Sequence, residues 1–301
     1  MENSGGMYLN MAAVTSRVGV ARLLQAVFGC TTFSLVAHQG GFNAAYGTFC
    51  MAVWCFCFAV TIFIITCEFT SLHNCLSISW GNFTAAFAML ATLMSITAAV
   101  IYPLNFVQFS CHPIGCEKRD FRISASIFAG LLFLAYTTEV CLTRAKPGQV
   151  TSYMATVSGL LKIVQAFVAC IIFGALVNDS QYDRYVATQW CVAVYGFCFV
   201  LTVVVVSLSV TGKTTTLKCP FERFVVIYTF VAVLLYMSAA VIWPVFCFDR
   251  KYGSPHRPYQ CSKGKCSWDS QVVIAVFTYV NLVLYIADLA YSQRIRFVSR
   301  P

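Results

Sequence analysis

Charged side chains are scarce in this chain, so those inside its apolar stretches are the first candidates for chemistry. Two acids, Glu139 and Asp288, occupy matching places in the segments YTTEV and YIADL. Two bases, Arg22 and Lys162, occupy matching places near the start of other apolar stretches. An ionisable group in such surroundings is paired or serves a proton or ion pathway. The pattern predicts two ion pairs, Arg22 with Glu139 and Lys162 with Asp288, and a relay is the alternative.

Other groups that could support catalysis do not form a recognisable set. The sequence contains no nucleophile elbow, no HExxH motif and no phosphate-binding loop. The four histidines fall in loops or at helix ends, where they could not ligate haem inside a helical bundle: His38, His73, His112 and His256. We therefore expect no enzyme activity, no catalytic residue, no cofactor and no metal site.

The sixteen cysteines are sorted by their depth in the apolar stretches, within which a thiol packs as a small apolar group. Two pairs, Cys111 with Cys116 and Cys261 with Cys266, repeat the same spacing in equivalent loops. We predict a disulfide within each pair, with pairing to Cys247 or a metal site as alternatives. Four others lie at the opposite rim, where S-acylation and an unmodified thiol are both open: Cys67, Cys75, Cys141 and Cys219.

The elements that must position these residues are membrane helices. Hydrophobic residues make up 59% of the 301 residues, charged residues make up 10%, and the mean hydropathy is +0.75. A soluble surface cannot be built from that composition, and about 20 apolar residues are needed for each crossing. The predicted spans are 19–38, 47–67, 83–108, 123–143, 157–177, 189–210, 224–247 and 271–291.

An internal repeat divides the spans into two halves. The segment GVARLLQAVFGCTTFSLVA at 19–37 returns as GLLKIVQAFVACIIFGALV at 159–177, and AAVIYP at 98–103 returns as AAVIWP at 239–244. A period of this kind indicates two units with one architecture. The sequence therefore predicts an all-α integral membrane protein with two tandem four-helix bundles. The expected divisions are a disordered cytoplasmic tail at 1–16, a first module at 17–150 and a second at 155–299.

Small residues recur every four positions on the first helix of each half, a spacing that favours close approach of helices. The predicted packing seams are Ala26, Cys30 and Ser34, and Ala166, Cys170 and Gly174. Packing inside each bundle is the favoured interpretation, and association between molecules is the alternative.

Two prolines, Pro103 and Pro244, fall late in the third and seventh spans. Proline lacks the amide hydrogen that continues a helix, so we expect a kink or an early helix end at each. The preceding aromatic residues, Tyr102 and Trp243, are expected to anchor these helices at the membrane interface.

The basic residues suggest an orientation. With both termini in the cytoplasm, eleven Lys and Arg face inward and nine face outward, which agrees with the positive-inside rule. The net charge of +9 then describes a membrane protein with basic inner rims, which suit anionic lipids. No basic surface domain supports a nucleic-acid partner.

A channel or transporter subunit is the alternative in another functional class. Halves with an even number of spans share one orientation, which excludes inverted repeats but leaves parallel repeats open. We find no charged or strongly polar residue near mid-membrane and no glycine and proline breaks of the kind that line transport sites. The sequence therefore favours a protein without a transport path.

Several motifs resemble one family across nearly the whole chain. WCFCF, YMATVSGLLKIV, WCVAVY, EVCLTRAKPG at 139–148 and FDRKYG at 248–253 are similar to the myeloid-associated differentiation marker family. The resemblance implies two MARVEL modules with cytoplasmic termini, at the plasma membrane or on vesicles. It also implies a role in organising or trafficking cholesterol-rich membrane, with lipids, membrane proteins or a second copy as partners. It implies no active-site residue.

Overall fold

The structure is a computed structural model that describes residues 10–38, 42, 45–107, 116–144, 152–178, 180–214, 220–259, 261 and 266–298, with the backbone alone for 116 and 293–298. In these ranges the regular secondary structure is helical. The α-helices are α1 (Met11–Thr15), α2 (Arg17–His38), α3 (Ala45–Phe69), α4 (Trp80–Phe106), α5 (Cys116–Thr143), α6 (Val157–Val177), α7 (Val186–Thr211), α8 (Phe221–Phe248) and α9 (Ser267–Val298).

Helices α2 to α9 are long and apolar enough to cross a membrane, so the prediction of an all-α protein with eight transmembrane helices is confirmed. The chain forms two compact units, Met1–Gln149 and Val150–Pro301, which we call module 1 and module 2. In module 1 each of α2 to α5 packs against two neighbours in a closed ring, and α6 to α9 form the same ring in module 2. We call the end where a module's first helix begins its entry end and the opposite end its loop end.

The first spans of both modules begin with the same arrangement. The Ser16 hydroxyl accepts the amide hydrogen of Gly19 at 3.0 Å, and the Thr156 hydroxyl accepts that of Gly159 at 3.1 Å. These side chains satisfy amides that a helix start leaves open. A Cβ on Gly159 would collide with the Tyr153 carbonyl, and one on Gly19 would collide with the backbone of the preceding helix. Glycine is therefore required where the preceding segment crosses the helix.

A matched aromatic pair fills the same place in both bundles. Trp54 meets Tyr102 in module 1 with ring centroids 5.3 Å apart, and Tyr195 meets Trp243 in module 2 at 6.4 Å. The indole is on the second helix of module 1 and on the third helix of module 2, so each pair contains one indole and one phenol. All four side chains are buried. The prediction that Tyr102 and Trp243 anchor the helices at the membrane interface is therefore wrong, because packing against Trp54 and Tyr195 places them inside the bundles.

The two prolines do not end their helices. Helix α4 continues past Pro103 to Phe106, and α8 continues past Pro244 to Phe248. Proline removes only its own amide from the helical ladder, and the Pro103 carbonyl still accepts the amide hydrogen of Val107 at 3.0 Å. Of the expected kink or early helix end, the early end is wrong at both positions, and the kink stays a prediction.

The predicted packing seams do not face the bundle interiors. Ala26 is buried and Ala166 is half-buried, but the other four seam residues are exposed: Cys30, Ser34, Cys170 and Gly174. The reason is that polar residues set the rotation of each first helix. Arg22 and Gln25 turn inward, and a stripe that begins one residue later lies about 100° around the helix.

The predicted tail is partly structured. Residues 11–15 form α1, and the Asn10 side chain caps this helix by accepting the amide hydrogen of Ala13 at 3.2 Å. The Asn10 amide in turn donates to the Phe69 carbonyl at 2.8 Å, which fixes α1 to the end of α3. The expectation of disorder is wrong for residues 10–15.

Candidate functional site

A charged cluster lies inside the entry end of module 1. The Arg22 guanidinium donates from Nε to Glu139 Oε1 at 2.6 Å and from Nη1 to Glu68 Oε2. Gln25 Nε2 donates to the second oxygen of Glu139 at 2.7 Å, and Trp80 Nε1 donates to Glu68 Oε1 at 2.9 Å. The cluster therefore joins all four helices of the bundle through one guanidinium and two carboxylates.

The equivalent cluster in module 2 has a lysine at its centre. Lys162 Nζ lies 2.7 Å from Asp288 Oδ2 and donates to Thr229 Oγ1 at 2.8 Å. Gln165 Nε2 also donates to Asp288 Oδ2, at 3.1 Å, and the Ser158 hydroxyl donates to Oδ1. Lys162 and Asp288 are completely buried. Both oxygens of the carboxylate are therefore engaged, as a buried charge requires.

A tyrosine outside the membrane spans completes the second cluster. Because Ser158 donates to Asp288, the Tyr153 hydroxyl, 3.3 Å away, donates to Ser158. Burial, with a contribution from the Asp288 carboxylate, raises the pKa of the Tyr153 phenol above its ordinary value. The phenol thus keeps its proton at neutral pH, and the segment before α6 is tied to the buried ion pair.

The two clusters differ in the number of carboxylates around the base, with two in module 1 and one in module 2. Glu68 in module 1 corresponds to Ser209 in module 2, as the aligned segments containing WCFCFAVT and YGFCFVLT show. Arg22 therefore meets two carboxylates, which suit the several donors of a guanidinium. Lys162 meets one carboxylate and a hydroxyl, which suit the compact ammonium group.

Sequence reasoning brought the four charged residues into the right pairs but missed their other partners, among them Glu68, Gln25 and Gln165. The predicted span 47–67 ends one residue before Glu68 and so does not include this acid. Gln25 and Gln165 were present in the aligned segments RLLQAV and KIVQAF, three residues after each base. That spacing places a base and an amide on one helix face, which could have revealed both.

Module 2 also contains polar side chains deep in its span. The Tyr228 and Tyr285 hydroxyls lie 3.0 Å apart, and Thr202 contacts both. Asn281, near the middle of the span Ser267–Ser292, donates to the Tyr236 hydroxyl at 2.7 Å. The sequence expectation of no strongly polar residue near mid-membrane is therefore wrong, because Asn281 stands at the centre of the predicted span 271–291 and is buried there.

The outcome for the cysteines differs between the loops and the rim. The structure joins Cys261 to Cys266 through a disulfide, and Cys247 is a free, buried thiol. Cys111 and the Cys116 side chain lie outside the described residues, as does Cys219. At the rim Cys75 and Cys141 are exposed and open to acylation, whereas Cys67 is buried. In the described ranges no group of three His, Cys, Asp or Glu side chains could hold a metal ion.

The disulfide between Cys261 and Cys266 can be tested by proteolysis. Trypsin cleaves after Lys263 and Lys265, which lie between Cys261 and Cys266. We expect a non-reduced digest to contain the two cysteine peptides joined, and reduction to separate them, as read by mass spectrometry. Cys247→Ser should leave this species unchanged. A peptide linked through Cys247 in the wild type would contradict the pairing.

Comparison with known proteins gives consistent matches along the chain. The MARVEL domain, described as a membrane-associating domain, matches residues 13–142 and again 153–291. Myeloid-associated differentiation marker-like protein 2 of cattle (Bos taurus) is 73% identical over 99% of this chain and 98% of its own length. The human (Homo sapiens) protein of that name is 72% identical over the same shares. The human myeloid-associated differentiation marker is 42% identical over 95% of this chain and 90% of its own length. No solved structure matches this chain.

Two four-helix membrane bundles matched by one repeated domain define a multi-pass membrane protein of the MARVEL class. Within that class the identities extend over almost the entire sequence. The chain therefore belongs to the myeloid-associated differentiation marker family.

Proposed function

We propose that this protein organises or traffics membrane domains, without catalysis, through contacts of its helices with lipids and other membrane proteins. The observation that supports this proposal most is the use of its charges. The membrane-embedded ionisable groups of both clusters bond to one another inside a bundle, while large apolar side chains cover the outer surfaces. Such a module offers lipid and protein contacts rather than a reactive group.

The proposal includes an orientation and a location. We place both termini in the cytoplasm, on the count of basic residues, and the protein in the plasma membrane or in vesicles. Cholesterol-rich membrane is the proposed lipid environment. The exposed stripe of small residues on α2 and α6 supports this choice, because small side chains leave room for close approach of neighbouring molecules. A partner protein or a second copy could use the same surface.

A channel or transporter subunit is the second candidate, and one observation favours it. The interior of module 2 carries polar groups from the Lys162–Asp288 pair through Tyr228 and Tyr285 towards Asn281. Buried polar groups inside membrane bundles often mark ion or proton pathways. Against it, fully buried aromatic side chains fill this interior, and transport requires an aqueous path.

The first experiment separates these candidates. The full-length tagged protein is followed in vesicles drawn from plasma membrane that have separated into ordered and disordered phases. We expect enrichment in the ordered phase, and loss of that enrichment on cholesterol depletion. Exclusion from the ordered phase would contradict the proposal. Proton or ion flux in proteoliposomes, abolished by Asp288→Asn in correctly folded protein, would favour the transporter.

A surface variant sharpens the test. Ser34→Leu combined with Gly174→Leu enlarges the exposed stripe and should lower the ordered-phase fraction. Val200→Leu is the matched control, because it adds one methylene to an exposed position that is already large. An equal response to both changes would show that the stripe does not determine partitioning.

A further inference from the structure

A cleft at the loop end of module 2 is not used by either charged cluster. Its volume is about 550 Å³, and it lies between the segment before α7 and the segments that join α8 to α9. Small-molecule sites usually occupy about 300–1,000 Å³. The cleft therefore has the size of a ligand site rather than of a packing defect.

The cleft is strongly basic. Arg184, Arg250 and Lys251 line it, and no lining residue among those the structure describes is acidic. Asp183, which precedes Arg184, does not line the cleft, and two further nearby acids have partners of their own. Asp249 accepts the Lys251 amide hydrogen at 2.8 Å, and Asp269 forms an ion pair with Arg257 at 2.9 Å. Three cations thus face one cavity without a carboxylate to neutralise them there.

The walls hold the cleft open through bonds of their own. The Tyr185 hydroxyl donates to the Tyr252 carbonyl at 2.8 Å, and Trp268 Nε1 donates to the Ser254 carbonyl at 3.1 Å. The Cys261 wall is joined to the start of α9 by the disulfide. A preformed site loses little conformational entropy when a ligand binds. The Tyr185 and Trp268 rings are therefore fixed by bonds within the protein.

Two cations lie against aromatic rings at this site. The Arg184 guanidinium lies 5.4 Å from the Tyr185 ring centroid, and the Lys251 ammonium lies 5.2 Å from that of Tyr252. The cleft is also lined by residues of the first turns of α7 and α9, where the helix dipole favours negative charge. Charge, helix ends and aromatic faces thus favour the same kind of ligand.

We propose that this cleft binds an oxyanion, a sulfate or phosphate ester carried on a sugar-sized group. Arg184 and Arg250 supply charge-assisted hydrogen bonds to the oxyanion, and the aromatic walls contact the carrier. The same group could belong to a free small molecule or to a lipid headgroup at the membrane surface. The site is independent of the membrane-organising role.

The test uses one headgroup in two forms. The full-length protein in phosphatidylcholine nanodiscs is titrated with galactose 3-sulfate by calorimetry, and its binding of 3-sulfogalactosylceramide is measured by native mass spectrometry. We expect a sulfated probe to bind and its unsulfated counterpart to bind at least about tenfold more weakly. Binding of the lipid alone assigns the site to a headgroup, and equal binding of both assigns it to the sulfated sugar itself. Binding of neither sulfated probe overturns the proposal.

The variants locate the binding. Arg184→Gln with Arg250→Gln should weaken affinity by about tenfold or more, because two exposed charges that support no described ion pair are removed. Lys118→Gln, an exposed charge in module 1, is the matched control and should stay within about twofold of wild type. Size-exclusion profiles check that each variant is folded. Equal affinity of the double variant and the wild type would overturn the assignment.

Discussion

Asp288→Asn should lower the free energy of unfolding of module 2 by about 3–5 kcal/mol. The variant leaves the Lys162 ammonium completely buried without its carboxylate, and Ser158 and Gln165 lose a charged acceptor. Removing one member of a buried pair costs more than the pair itself is worth, because the remaining charge has no compensation. The measurement is unfolding of the full-length protein in detergent, with thiol alkylation at the buried Cys198 quantified by mass spectrometry, which separates this site from the exposed cysteines.

Two further variants test whether the loss of stability comes from breaking the buried ion pair. Lys162→Gln combined with Asp288→Asn replaces the ion pair by two amides and should be more stable than either single variant. Asp269→Asn breaks an exposed ion pair of the same helix and should cost less than about 1 kcal/mol. If the double variant were as unstable as the sum of the single variants, the interaction between Lys162 and Asp288 would not contribute to folding.

Arg22→Gln should destabilise module 1 by a similar amount, about 3–5 kcal/mol. Here the variant leaves two carboxylates, Glu139 and Glu68, beside each other without a cation, and Glu139 is almost fully buried. Gln25 and Trp80 can donate to them but cannot neutralise them. The same unfolding measurement applies, with the buried Cys57 as the reporter of module 1.

Module 2 provides the matched rescue. Arg22→Lys alone should be destabilising, because a compact ammonium does not reproduce the guanidinium fork to two carboxylates. Adding Glu68→Ser and Ala88→Thr removes the second carboxylate and supplies a hydroxyl acceptor, since Ala88 stands where module 2 has Thr229. We expect the triple variant to recover stability. A triple variant less stable than Arg22→Lys would show that the clusters are not equivalent.

The sequence was sufficient to predict the eight helices and the two pairs of charged residues. Both predictions depend on strong physical constraints, since a span must be apolar over its full length and an ionisable group inside it needs a partner. The repeat then identified the partners, because Glu139 and Asp288 stand at one place in the two halves, as do Arg22 and Lys162.

The rotation of individual helices could not be predicted in the same way. Helices α2 and α6 are apolar around most of their circumference, so a stripe such as Cys30 and Ser34 has the same apolar character as the side that is buried. Because the lipid and the bundle interior are similarly apolar, the periodicity of apolar residues does not show which side of a helix faces inward. Only the positions of Gln25 and Gln165 beside the bases mark the inward face.

Some contacts between helices could not be predicted from composition either. Glu68 falls one residue outside the predicted span 47–67, because composition defines the end of a span only within a few residues. Tyr102 and Trp243 fit the usual composition of a membrane interface, but ring packing with Trp54 and Tyr195 places them inside. Aromatic residues serve both purposes, and only three-dimensional contacts separate them.

The ion pair of module 1 joins the first helix of the bundle to the fourth, and this has a consequence for biosynthesis. Arg22 and Glu139 are 117 positions apart in the chain. At ordinary rates of translation the acid follows the base by on the order of 10 s. Arg22 therefore enters the membrane region before its buried partner has been made, and the ring can close only when the last helix is inserted. A chain that ends after α4 would keep Arg22 with Glu68 alone, and the Nε donor of the guanidinium would lack its acceptor Glu139.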